Sequence, residues 1–129
     1  MITDEKLVAL AAEARREAYA PYSKYAVGAA LLGKSGKVYT GCNVENAVYS
    51  LTICAERTAV VKAISEGERE FKAIAVVTVN GGTPCGACRQ VLAEFGLDTR
   101  VLIATPKSLI REETVSSLLP GAFGAQNLP

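Results

Sequence analysis

The chain has 129 residues, half of them apolar and 21% charged, which predicts one domain (residues 1–129) with a buried core and excludes a disordered polymer. Fourteen lysines and arginines against thirteen aspartates and glutamates leave a formal charge of +1, without the basic excess of a polynucleotide-binding surface. Histidine is absent altogether, which removes Ser-His-Asp and Cys-His triads, imidazole acid–base chemistry and every metal site that needs imidazole.

Thr3 to Ala20 reads as a helix. Thr3 is its N-cap, Asp4 and Glu5 lie in the first turn, and Leu7, Leu10, Ala11, Ala14 and Ala18 form an apolar stripe that Pro21 ends. The acidic start lacks the basic-then-apolar order of a secretory signal, and no run approaches the ~18 apolar residues of a membrane span. A soluble, cytoplasmic protein without membrane partners is expected, and in that reducing compartment four cysteines point to metal or catalysis before disulfides. Tyr25–Leu32 and Lys37–Glu45 are predicted strands of a hairpin turned by Gly33-Lys34-Ser35-Gly36. Cys54 to Glu66 is a second helix stopped by Gly67, and Phe71 to Val79 an apolar strand of the kind buried on both faces. Pro84 opens a third helix that runs to Phe95 and stops at Gly96. Arg100–Ala104 is another buried strand, Leu109–Thr114 an edge strand and Val115–Leu119 a short last helix. Strands alternating with helices after an initial hairpin imply an α/β fold whose mixed sheet carries helices on both faces.

The chemistry concentrates at two predicted helix starts. In Pro84-Cys85-Gly86-Ala87-Cys88-Arg89-Gln90, Cys85 and Cys88 share a face of the first turn and can chelate one ion; the helix N-terminus favours thiolates over thiols. A redox dithiol or two small buried side chains would use the same spacing. In Cys54-Ala55-Glu56-Arg57, Val60, Ala63 and Ile64 follow Glu56 at i+4, i+7 and i+8, which puts the carboxyl on the buried face. Burial and nearby charge can tune such a group to exchange protons near neutrality; an ion pair with Arg57 or Lys62, or a cap over the helix end, would equally satisfy it. A cysteine, a glutamate two residues on and a later Pro-Cys-x-x-Cys match the zinc-deaminase signature, here with Cys54 where histidine is usual.

On these residues the chain resembles the small homotetrameric cytidine deaminases. The resemblance runs over nearly the whole length, through Ala20-Pro21-Tyr22-Ser23-Lys24, Val27-Gly28-Ala29-Ala30-Leu31, Gly41-Cys42-Asn43-Val44-Glu45-Asn46, the two cysteine motifs and Leu119-Pro120-Gly121-Ala122-Phe123. It implies a three-layer α/β/α sandwich with a mixed five-stranded sheet, one Zn²⁺ per chain on Cys54, Cys85 and Cys88, and hydrolysis of cytidine and 2′-deoxycytidine to the uridines and ammonia, as in pyrimidine salvage. In that reaction Glu56 shuttles protons between zinc-bound water, N3 and the departing amine. Three thiolates on a dication leave the site at −1 and weaken it as a Lewis acid, so something must draw density from sulfur. Two helix N-termini can do this, with Arg57 and Arg89 as candidate donors behind the sulfurs; the resemblance assigns the task to Arg57, and Arg89 reads more readily as an ordinary surface arginine.

Asn43 and Glu45, two apart at a strand end, present their side chains to one side. The family places them on the ribose hydroxyls, although strand-end capping would also suit them. Tyr25 stands where the family usually stacks phenylalanine on the base, and its hydroxyl needs a partner or solvent. Ala55 would meet the base through its backbone, and Ala47, Tyr49 and Phe123 match positions contributed by neighbouring subunits. Cys42, next to Asn43, should face the opposite side as a small core residue and not as a fourth ligand. Rival readings are a closed four-cysteine structural zinc module, a deaminase of another base, polynucleotide or nucleoside antibiotic, and a metal-free redox pair.

Overall fold

The computed structural model describes all residues from Met1 to Pro129. Helix α1 (Asp4–Arg15) is followed by strands β1 (Gly28–Gly33) and β2 (Val38–Cys42), helix α2 (Ala55–Ser65), β3 (Phe71–Val77), α3 (Gly86–Ala93), β4 (Arg100–Ala104), β5 (Leu109–Thr114) and α4 (Val115–Leu118). Short 3₁₀ turns occupy Tyr49–Leu51 and Ala125–Asn127.

The five strands lie in the order β2-β1-β3-β4-β5. The β1–β2 hairpin, the β1–β3 pair and the β4–β5 pair are antiparallel, and β3–β4, joined through α3, is parallel. The sheet is therefore mixed, as expected. Alternate residues of its central strands feed two separate cores. Ala29, Leu31, Ile74, Val76, Val101 and Ile103 face α2 and α3, together with Ala59, Val60 and Leu92. Ala30, Leu32, Ala73, Ala75, Val77, Leu102 and Ala104 face α1 and its Leu7 and Ala11. The second face is rich in alanine, which lets α1 lie close. A Cβ on Gly28 would come within 2.0 Å of Ala11 O, so the first strand must begin with glycine under the helix.

The first helix stops five residues earlier than its stripe predicts. Arg16, Glu17 and Ala18 close short turns onto Glu13, Ala14 and Arg15, and the backbone then straightens. Tyr19 donates to Asn43 O and accepts from Glu45 N, forming a parallel bridge to Val44 that a helical Tyr19 could not make. The flanks of the hairpin also fall short of the predicted strands. Asn43 Oδ1 accepts from Val27 N at 2.9 Å and its Nδ2 donates to Tyr25 O at 2.8 Å, so a side chain replaces ladder bonds before Gly28. Strands β4 and β5 keep their predicted bounds, α2 and α3 lose residues at both ends, and β3 stops at Val77.

Candidate active site

Helices α2 and α3 both start beside the C-terminal end of β3, on the same face of the sheet. Each has a cysteine as its N-cap residue, Cys54 and Cys85, in extended conformation. Their carbonyls accept the first helical bonds, from Thr58 N and Arg89 N at 3.0 Å each. Cys88 lies in the first turn of α3 and is fully buried. The sulfur atoms of Cys54, Cys85 and Cys88 lie within 4.8 Å of one another, with 4.0 Å from Cys54 to Cys85 and 3.6 Å from Cys85 to Cys88. Tetrahedral zinc with Zn–S bonds near 2.3 Å needs sulfurs about 3.8 Å apart. The donor set fits zinc in softness, spacing and number, and it leaves one position for a non-protein ligand. Cys42 stands apart from this cluster; it is half-buried and less enclosed than a core residue, and burial pushes its thiol up.

The charge around the sulfurs is arranged for thiolate. Cys54 is held down to about 5 by the Cys88 thiol that donates to it and by Arg57, whose Nη2 lies 3.2 Å from its sulfur. Cys88 is pushed above the ordinary thiol range, because its proton is engaged with Cys54 and its surroundings are buried. Cys54 is thus the sulfur most readily present as thiolate, and deprotonating Cys88 beside it calls for a cation among the sulfurs. The Nε of Arg57 is buried with no partner, a polar group held in place behind the sulfur it serves.

Glu56, the second residue of α2, is 4% exposed and takes part in none of the ion pairs. Burial lifts its carboxyl from the ordinary range to about 7, with the Cys54 charge adding and Arg57 opposing. Pairing with Arg57 or Lys62 does not occur, since Arg57 is turned to sulfur. Glu56 instead lines a cleft of about 260 Å³ with Cys54, Cys85, Ala55, Asn43, Glu45 and Tyr25. The first turn of α2 is clamped to β2 by Thr58, whose hydroxyl donates to Cys42 O at 3.1 Å. The approach is close enough that only glycine fits at position 41.

The remaining sequence candidates divide. Asn43 and Glu45 both border the cleft, while Val44 between them points outward. Their polar atoms are already partly engaged: Asn43 holds the backbone of residues 25–27, and Glu45 accepts from Tyr22 N at 2.9 Å, Ser23 N at 3.1 Å and the Ser23 hydroxyl. That Ser23 bond is the main cause holding the Glu45 carboxyl below its usual range. Ala47, Tyr49 and Phe123 do not reach the cleft of their own chain, and Tyr49 and Phe123 are 74% and 58% exposed. Arg89 is a correction. It is half-buried, and its guanidinium donates to Pro84 O at 2.8 Å, Leu118 O at 2.6 Å and Thr83 Oγ1 at 3.0 Å, tying the loop before Cys85 to the end of α4. Thr52, Thr78, Gly82 and Thr83, which the sequence does not single out, also line the cleft, as does Ser23 of the Ala20–Lys24 motif. Apart from their neighbourhood to Tyr25, Cys54 and Pro84, small polar residues in loops carry no signal of their own.

A mixed α/β sheet with three sulfurs that can hold a soft metal ion and a buried carboxyl free of ion pairs fits a metal-dependent hydrolase. Residues 1–105 match the zinc-binding region of cytidine and deoxycytidylate deaminases. A cytidine deaminase of Sporosarcina psychrophila is 55% identical over 127 residues, covering 96% of this chain and 93% of that one. Another, of Halalkalibacterium halodurans, is 54% identical with 96% of each chain covered. The crystal structure of cytidine deaminase from Burkholderia pseudomallei superposes with a TM-score of 0.90 at 48% identity, over 95% of this chain and 100% of that one. The chain belongs to the cytidine and deoxycytidylate deaminase family.

Proposed function

We propose that the chain hydrolyses free cytidine and 2′-deoxycytidine to the corresponding uridines and ammonia, with Cys54, Cys85 and Cys88 holding one zinc ion and Glu56 moving the protons. The observation that carries this reading is the buried Glu56, free of any ion pair, lining a cleft with thiols of the three-sulfur cluster. Zinc, when bound, supplies the Lewis acidity that activates water near neutral pH. Glu56 accepts a proton from the attacking water and passes it to N3 of the pyrimidine as the oxygen bonds to C4. It then carries the second water proton to the exocyclic amine, and the C4–N bond breaks to release ammonia. Burial raises the Glu56 carboxyl above the ordinary range, which favours its holding a proton between the two transfers.

Asn43 and Glu45 serve the ribose hydroxyls with the hydrogen-bonding capacity left after their structural bonds, and Ala55 meets the base through its backbone. Tyr25 provides the stacking surface for the base. No lysine or arginine lines the cleft, whereas two carboxylates do, so a phosphate would meet repulsion. This supports a nucleoside over a nucleotide or polynucleotide. Val44, Val48, Tyr49, Leu51 and Ile53, all within ten residues of one another in sequence, leave large apolar side chains exposed, as a subunit interface would require. They support a homotetramer in which Ala47, Tyr49 and Phe123 complete the clefts of neighbouring copies. No helix is long and apolar enough to cross a membrane. We take residues 1–129 as a single domain working in the cytoplasm, a location that the four free cysteines support.

The test is a panel of cytidine, deoxycytidine, dCMP, adenosine and single-stranded DNA, with loss of pyrimidine absorbance as the readout. Zinc-loaded wild-type protein should act on the first two alone. Glu56→Gln should retain zinc and lose at least about a thousandfold in kcat. Turnover retained in that variant, or preference for dCMP or DNA, would overturn the assignment.

A further inference from the structure

Two segments distant in sequence frame one side of the cleft: the approach to β1, which carries Tyr25, and residues 78–84, which lead from β3 to Cys85. They are joined through a phenol. Tyr25 Oη donates to Asn80 Oδ1 at 2.7 Å. Thr78 Oγ1 reaches the same oxygen at 3.4 Å and accepts from Gly82 N at 2.7 Å. The backbone closes over this group so tightly that a Cβ on Gly82 would stand 2.5 Å from Tyr25 Oη and 3.7 Å from both Asn80 Oδ1 and Thr78 Oγ1. Gly82 has no positive φ, so a side chain there would not strain the backbone but would push the Tyr25 hydroxyl from its place. A phenylalanine could fill the place of the ring but could not reach Asn80.

We propose that the Tyr25–Asn80 hydrogen bond is a strap along the edge of the nucleoside cleft, and that Asn80 is a positioning residue that sets the Tyr25 ring against the base. The inference rests on the reading of the cleft given above. Asn80 itself does not line the cavity; it acts through the phenol and through the loop it anchors. Two torsions orient a tyrosine ring, and fixing its far end removes the freedom that an unanchored ring would lose on stacking. The benefit therefore belongs to substrate binding and leaves the proton transfers at Glu56 untouched. Anchoring by one hydrogen bond between neutral groups corresponds to roughly two- to tenfold in affinity.

A double-mutant cycle tests this in the zinc-loaded full chain, with Tyr25→Phe, Asn80→Ala and the double variant. Each single change should raise KM for cytidine two- to tenfold, while kcat and zinc content stay within about twofold of wild type. The double variant should be no worse than either single one, since both cut the same bond. Unchanged KM in either single variant, effects that multiply, or a fall confined to kcat would overturn the strap. If Tyr25→Phe proves too unstable to assay, Asn80→Ala on the exposed partner decides alone by its KM. A wild-type chain inert towards cytidine would instead overturn the nucleoside reading, so the two failures are told apart.

Discussion

Replacing Gly41 by alanine should disturb the metal centre from the opposite side of α2. The Cβ would sit 2.6 Å from Ala55 O, 2.6 Å from Ala59 N and 2.9 Å from Thr58 Cβ, where ordinary contact begins at 3.4 Å. Two of these neighbours are helix backbone, which cannot swing aside, so the first turn of α2 must retreat from β2 by about 0.8 Å. That turn carries Glu56 and follows Cys54, whereas Cys85 and Cys88 belong to α3 and stay behind. Metal–ligand distances tolerate only about 0.2 Å. Overpacking of this kind costs about 1–3 kcal/mol of stability. A misplacement near 1 Å at the chemistry can cost about a hundredfold in rate. The variant should therefore melt earlier, yield zinc to a chelator at least tenfold more readily, and lose one to two orders of magnitude in kcat/KM. Competition with a chromophoric chelator, thermal melts with and without zinc, and the cytidine assay report the three effects. A variant that holds zinc and turns over like wild type would refute the claim that the β2–α2 contact sets the site.

Arg89→Ala removes three donated bonds at once and leaves two carbonyls without their charged donor. It should cost about 2–3 kcal/mol in denaturant unfolding, and Arg89→Lys should restore little because one ammonium cannot span the three acceptors. At the other end of the sheet Arg100 joins Asp4 and Glu112, and its bond to Glu112 holds that carboxyl below its usual range. A lowered pKa stabilises the fold above the unfolded value and is lost as pH falls through the folded one. Glu112→Gln should thus cost less than about 1 kcal/mol near neutrality and nothing in strong acid, seen as converging melting curves.

Periodic signals in the sequence were read well, and contacts between distant segments were not. Strands β4 and β5 stand at their predicted bounds, β4 because an apolar run delimits it locally and β5 because Pro106 to Ser108 turn the chain before it and the Thr114 cap starts α4 after it. The spacing of Val60, Ala63 and Ile64 after Glu56 puts it on a buried face, and it is buried. The two cysteine motifs carry their own geometry, since each sits at a helix start. The end of α1, by contrast, is decided by the pairing of Tyr19 with Val44, which no propensity at Arg16 reveals. Arg89 looked like a surface residue because its acceptors include a carbonyl at Leu118, on a different element. The partner of the Tyr25 hydroxyl is 55 residues away. Asn43 was matched to a sugar, yet its amide also bonds the backbone of residues 25–27, a contact visible only once both flanks of the hairpin are placed.

In the proposed site three sulfurs hold a catalytic zinc with one position open. X-ray absorption at the zinc edge, on freshly purified protein of measured activity, tests it most directly. The spectrum should show one zinc per chain, three sulfurs near 2.3 Å and a single oxygen or nitrogen neighbour. Four sulfurs around the ion, or full activity in protein that carries no metal, would contradict it.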